Sequence, residues 1–178
     1  RNSKPACTPD RQTTLAISVL PRYPAFAMTS QSSEPFTDNP FGHRISSDDI
    51  RDTLGFFDTW EERYKYIIDL GKELPELPES LHTKERLVPG CQSKVWVDSH
   101  VADGKLQLAV DSDAFIVKGL LGVVLAAYNN KAPEDILTFD IDSYFEDLDL
   151  MRHLSATRGN GLRAMVGRIQ DIARAAQN

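Results

Sequence analysis

From Ala114 to Tyr128 the chain is apolar on nearly every side, with Lys118 its only charge. A helix of that composition offers no face to water, so it has to run through a core and be covered all round. Neither it nor any other run approaches the roughly 20 apolar residues needed to cross a bilayer. The rest of the chain must therefore supply the cover.

The period of the apolar residues shows how. Val95 and Val97 alternate with Lys94 and Asp98, and Trp96 adds strand preference. Ala102-Asp103-Gly104 is a turn signal, and Leu106, Leu108 and Val110 alternate with Lys105, Gln107 and Ala109 on the return. An antiparallel hairpin with one apolar face follows. Upstream, Thr59-Trp60-Glu61-Glu62 reads as a capping box ahead of Trp60, Tyr64, Ile67, Ile68 and Leu74 at helical spacing. A shorter helix over residues 49–54 is expected before it, with Ser47 as N-cap and a break at Gly55. Residues 75–90 hold three prolines and read as an irregular connection. Asp111-Ser112-Asp113 is placed to cap the apolar helix. Pro133 suits the first position of a short helix, and Tyr144-Phe145 and Leu148 to Leu150 mark further turns. Leu162, Met165, Val166, Ile169, Ile172 and Ala173 form the stripe of a last amphipathic helix. Helices, a hairpin and more helices make an α+β domain, a small antiparallel β-sheet packed against several helices.

The chain divides into two parts, residues 1–45 and residues 46–178, the second being the folded domain. Residues 28–42 are rich in Ser, Thr, Pro and Asn without periodicity and are expected to be a disordered arm. Residues 1–27 carry early basic residues and a short apolar run cut off by Pro21-Arg22, too short for a secretory signal. A transit segment fits better, and an upstream extension ahead of a start at Met28 fits best.

Net charge is −6, with +3 on residues 1–30 and −9 on the rest, so general affinity for nucleic acid or an anionic membrane is not expected. Two cysteines, one of them outside the expected domain, suit a reducing compartment. A cytoplasmic location is expected, organellar only if residues 1–27 are a transit segment.

Cys91 is the residue with chemistry to offer. It stands alone in Val88-Pro89-Gly90-Cys91-Gln92-Ser93, at a loop tip that enters the first strand. A lone thiol builds neither a four-ligand zinc site nor a disulfide framework. It is either a buried inert thiol or a nucleophile. His43, His82, His100 and His153 are scattered, and none stands at ligand spacing with Cys91 or an acid, so no metal site is expected. Gly119-Leu120-Leu121-Gly122 matches no phosphate-binding fingerprint, and close helix packing accounts for both glycines. Gly159-Asn160-Gly161 reads as a loop-to-helix junction rather than an anion-binding turn. A Cys91–His153 hydrolase pair lacks any nucleophile signature around the cysteine and is not expected either.

Val88-Pro89-Gly90-Cys91-Gln92-Ser93-Lys94-Val95-Trp96 closely resembles the cysteine-loop motif of the SufE family, including its CsdE branch. Asp111-Ser112-Asp113-Ala114 with Ile116-Val117-Lys118-Gly119-Leu120 resembles a second family signature. His153-Leu154-Ser155, Arg158 and Asn160-Gly161-Leu162 resemble a third. The resemblance runs from about Trp60 to Ala175 and leaves residues 1 to about 45 uncovered.

The resemblance implies a SufE/IscU-like fold and a sulfur-transfer function. Cys91 would accept a persulfide sulfur from a pyridoxal-phosphate cysteine desulfurase of the SufS or CsdA kind and would stimulate that enzyme. The sulfur would pass to a SufBCD-like cluster scaffold or another acceptor. This chain would bind no cofactor of its own, since the pyridoxal phosphate stays with the partner, and would be a carrier without autonomous turnover. Gly90 would let the loop swing, while Gln92 and Ser93 would set its geometry. Asp113, a helix cap on sequence grounds, would also influence how easily the loop opens. Arg158 would pair with an acidic partner group or help stabilise a thiolate; a solvated arginine ahead of a helix is the plain alternative. Cys91 is expected to rest in an apolar pocket and turn outward on the partner. The rival reading is a non-catalytic binding module of the same fold in which Cys91 merely packs.

Overall fold

The computed structural model describes residues 34–177. Among these residues, eight helices and one hairpin follow in the order α1 (Glu34–Thr37), α2 (Ser47–Gly55), α3 (Trp60–Lys72), β1 (Val95–Ala102), β2 (Lys105–Ser112), α4 (Phe115–Tyr128), α5 (Pro133–Thr138), α6 (Ile141–Asp147), α7 (Leu150–His153) and α8 (Ala156–Ala176). The α+β class is as the periodicity indicates. Residues 75–90 are not wholly irregular, because they contain two single 3₁₀ turns, Glu79–Leu81 and Lys84–Arg86.

Local chemistry accounts for the best-read elements. At α3 the Thr59 hydroxyl accepts from the Glu62 amide, and the Glu62 carboxylate accepts from the Thr59 amide. The same box starts α2, but on Ser46 and Asp49, one residue before the expected Ser47. Gly55 is the last residue of that helix rather than a break within it. The hairpin closes through two residues, Asp103 at φ 51° and Gly104 at φ 73°, with Ala102 opposite Lys105 and Val95 opposite Ser112. Two successive positive φ values give the turn whose twist matches that of paired strands. Val95, Val97, Leu106, Leu108 and Val110 point into the core.

A two-stranded ribbon is marginal alone and needs helices against it. The central one is α4, in which every residue except Phe115 and Lys118 is buried. Lys118 reaches out to the Asp111 carboxylate at 2.7 Å. The crossing of α3 and α4 is close because glycines line it. A Cβ on Gly119 would lie 2.0 Å from the Ile67 carbonyl oxygen, and one on Gly122 would lie 2.9 Å from the Phe41 ring. Close packing is thus the reason for both glycines.

The expected domain boundary at residue 46 is too late. Phe41 is 0% exposed, packs among the core residues, and touches Gly122. The Asn39 amide donates to the Leu108 carbonyl at 3.0 Å, and the Asn129 amide donates to the Phe41 carbonyl at 2.8 Å. Residues 34–45 therefore belong to the domain. The readings of residues 1–33, including the start at Met28 and the targeting segment, lie outside the described residues.

Two helix starts also differ from expectation. Asp113 does not cap α4; Ala114 occupies that position without a side-chain bond. Gly159-Asn160-Gly161 does not precede the last helix but sits in its first two turns, because Ser155 caps α8 by accepting from the Arg158 amide at 3.3 Å. Arg158 is consequently a helical residue, not one ahead of a helix.

Candidate functional site: the cysteine loop and its pocket

Cys91 lies between the connection that ends at Gly90 and the start of β1. Gly90 has φ +86°, a conformation strained for any L side chain. Space does not demand the glycine there, since a Cβ would come no nearer than 3.8 Å to Ala164. What the position requires is the backbone turn that aims Cys91 at α8.

The half-buried Cys91 thiol donates to the Gly161 carbonyl at 3.6 Å. Sulfur and helix are in van der Waals contact here: a Cβ on Gly161 would lie 3.7 Å from Sγ, a distance that does not by itself demand the glycine. Loss of water pushes the Cys91 thiol above its ordinary pKa. At rest the sulfur is protonated and a poor nucleophile.

Around it is a pocket of about 100 Å³. Gln92, Ser93, Thr157 and Arg158 form the polar part of its wall, and Ala114, Ile116, Val117, Leu120 and Met165 the apolar part. Four of the residues singled out from sequence, Cys91, Gln92, Ser93 and Arg158, thus meet at one cavity, with Gly90 adjoining. Asp113 stands apart from that wall and acts on the loop from behind. Its carboxylate accepts from the Lys94 amide at 3.0 Å, its own amide donates to the Lys94 carbonyl at 3.3 Å, and the Ser112 hydroxyl donates to the same carbonyl at 2.8 Å. The exposed Arg158 is directed across to α3, where it donates to the Tyr64 hydroxyl at 3.3 Å.

His153 is not brought to the cysteine. It stacks on Trp60 with ring centres 4.1 Å apart and lies 3.1 Å from an Asp149 carboxylate oxygen, and it does not line the pocket. Among the described residues no group of three or more His, Cys, Asp or Glu is placed to hold a metal ion. No described helix is long and apolar enough to cross a membrane. The residue that sequence reasoning missed is Gly161 as a partner of the thiol. Its carbonyl is a backbone group 70 positions away, and the only hint was its place in the third motif.

Comparison with known proteins agrees with the arrangement. Residues 48–173 match the SufE family, described as an Fe-S metabolism associated domain. A SufE-like protein of Rhizobium meliloti (strain 1021) is 44% identical over 132 residues, covering 72% of this chain and 94% of its own length. A SufE-like protein of Rhizobium etli is 43% identical over 142 residues, covering 76% and 96%. The fold is shared with a hypothetical protein from Thermus thermophilus solved in solution, at a TM-score of 0.62 and 21% identity over 74% of this chain and 95% of that one. With its domain matched almost end to end and relatives above two-fifths identity, the chain belongs to the SufE family of iron–sulfur metabolism.

Proposed function

We propose that Cys91 is a sulfur acceptor, loaded by a pyridoxal-phosphate cysteine desulfurase and unloaded into iron–sulfur cluster assembly. The observation that carries this reading is the seat of the thiol: a lone sulfur on a glycine-hinged loop, half-buried at the mouth of its own pocket. In the transfer the Cys91 thiolate attacks the outer sulfur of the donor's persulfide. The bond between the donor's two sulfurs breaks, a new S–S bond forms at Cys91, and the donor leaves as a thiolate that takes up the proton Cys91 gave up. Oxidation state is conserved, so no redox partner is needed.

The rest of the chain favours holding over releasing. A second thiol nearby would attack the persulfide, expel sulfide and close a disulfide. Cys91 is the sole cysteine among the described residues. At rest its protonated sulfur is slow to react, and movement out of the pocket toward water and a partner's polar groups removes the cause of its raised pKa. Activation on docking follows from that difference. The desulfurase keeps the cofactor, the final acceptor is a cluster scaffold or another thiol, and the working compartment is a reducing one such as the cytoplasm.

Mass spectrometry after incubation with desulfurase and cysteine tests this. Cys91 is expected to gain one or more sulfur atoms, and Cys91→Ser none. An unmodified wild-type Cys91 would instead support a binding module with a structural thiol.

A further inference from the structure

Among the described residues two phenylalanines are highly exposed, Phe56 at 84% and Phe115 at 78%. Isolated apolar residues on a surface are ordinary, and Phe56, at the C-cap of α2, lines neither the cysteine pocket nor the groove beside it. Phe115 is placed differently. It is the first residue of α4, and its neighbours Ala114, Ile116 and Val117 all line the Cys91 pocket. It borders a second groove, of about 190 Å³, lined also by Ile68 of α3, by Leu74 just beyond that helix, and by Lys72, Glu76 and Lys118. The pocket and the groove are therefore two sides of one helical turn. Nothing local calls for phenylalanine at a helix start, where small polar or acidic residues are preferred.

We infer that Phe115 is the aromatic anchor by which this chain is held on its cysteine desulfurase, seated against an apolar and acidic segment of that enzyme. The inference rests on the acceptor role proposed above. Two observations name the occupant. A donor that meets Cys91 within the short reach of its loop comes up beside the turn formed by residues 114–117, because that turn is a wall of the sulfur's pocket. Charge gives the second. Lys94 and Arg158 are exposed on either side of Cys91 in the chain's loop and α8, and among the described residues neither pairs with a carboxylate. An apolar centre with an unpaired cationic rim fits a partner face of acids around an apolar pocket, and aromatic anchors dominate such contacts.

Titration of the cognate desulfurase with this protein, reading alanine release from cysteine, separates anchor from bystander. Phe115→Ala should raise the half-saturating concentration about tenfold or more without changing the rate at saturation. Phe115→Asp should raise it further, since it meets acids with an acid. That variant keeps the fold, because α4 has no acid in its first turn and a helix start favours one. Phe56→Ala should titrate like wild type, and alkylation of Cys91 in the free protein should be the same in all. If Phe115→Ala and Phe115→Asp saturate at the wild-type concentration while wild-type Cys91 gains sulfur, the anchor is overturned and the acceptor role stands. If wild-type Cys91 gains no sulfur, the acceptor role falls and the anchor with it.

Discussion

The hairpin is gripped at two places, and the grips differ in kind. Deep inside, Leu108 of β2 is held through both backbone groups: its carbonyl accepts from Asn39, and its amide donates to the Asn129 side chain at 2.7 Å. Asn129 also donates to Phe41, and Asn39 accepts from the Phe41 amide at 3.1 Å, so both buried asparagines are used on both sides. Nearer the surface, the start of β1 is held at Lys94 by the exposed Asp113 carboxylate and by the hydroxyl of the buried Ser112. Both are polar contacts between distant segments. Water is excluded from the first and competes for the exposed Asp113 bond of the second, so the first locks and the Asp113 tie can open. The fold thus keeps its fixed polar crossing away from the sulfur and its releasable one beside it.

Asn129→Ala would break the strong side of that contrast. It strands the Leu108 amide and the Phe41 carbonyl in the core, at a cost of about 2–5 kcal/mol, readable as a lower denaturation midpoint in urea. A loss under about 1 kcal/mol would mean that the buried crossing is no firmer than the exposed one. The pH profile of Cys91 alkylation is the next in size. Burial raises the thiol's pKa, so the thiolate fraction at neutral pH is lower than for a free cysteine and climbs about tenfold per pH unit. The rate should still be rising past pH ~8.5 in the folded protein and should level near there in denaturant. A plateau below that pH in the folded state would show a thiol that is not shielded. Smallest is Asp113→Ala, which removes one exposed bond worth about 1 kcal/mol. Cys91 should then alkylate a few times faster with the denaturation midpoint nearly unchanged; an unaltered rate would show that the loop opens without releasing Lys94.

What the chain reveals of itself follows the same division. The hairpin, α3 and α4 are legible because period, turn residues and capping boxes act over neighbouring positions. Cys91 is legible as a loop thiol because Pro89-Gly90 stands directly before it. Asn39 and Phe41 are not, since they lie in a stretch whose composition resembles a loose arm. Their partners are 69 and 88 positions away. Asp113 stands where a cap belongs, and only the fold shows that the Lys94 amide, 19 positions back, takes its carboxylate instead. Gly159 and Gly161 each weaken a helix by roughly 1 kcal/mol, which makes a junction the natural reading. The Ser155 cap and the buried stripe of Leu162, Met165, Val166, Ile169 and Ala173 override that penalty.

The backbone ties on each side of the cysteine also set a radius. Val88 is fixed by its amide bond to the Val95 carbonyl at 2.9 Å, and Lys94 is fixed by Asp113 and Ser112. Six peptide steps between two fixed posts can bow outward by about half their extended length, on the order of 10 Å. While both posts hold, the tether cannot cross a wide gap. Under the acceptor role proposed above, a donor would have to bring its sulfur to within that short arc, and travel over any longer distance would fall to the donor's own reactive segment.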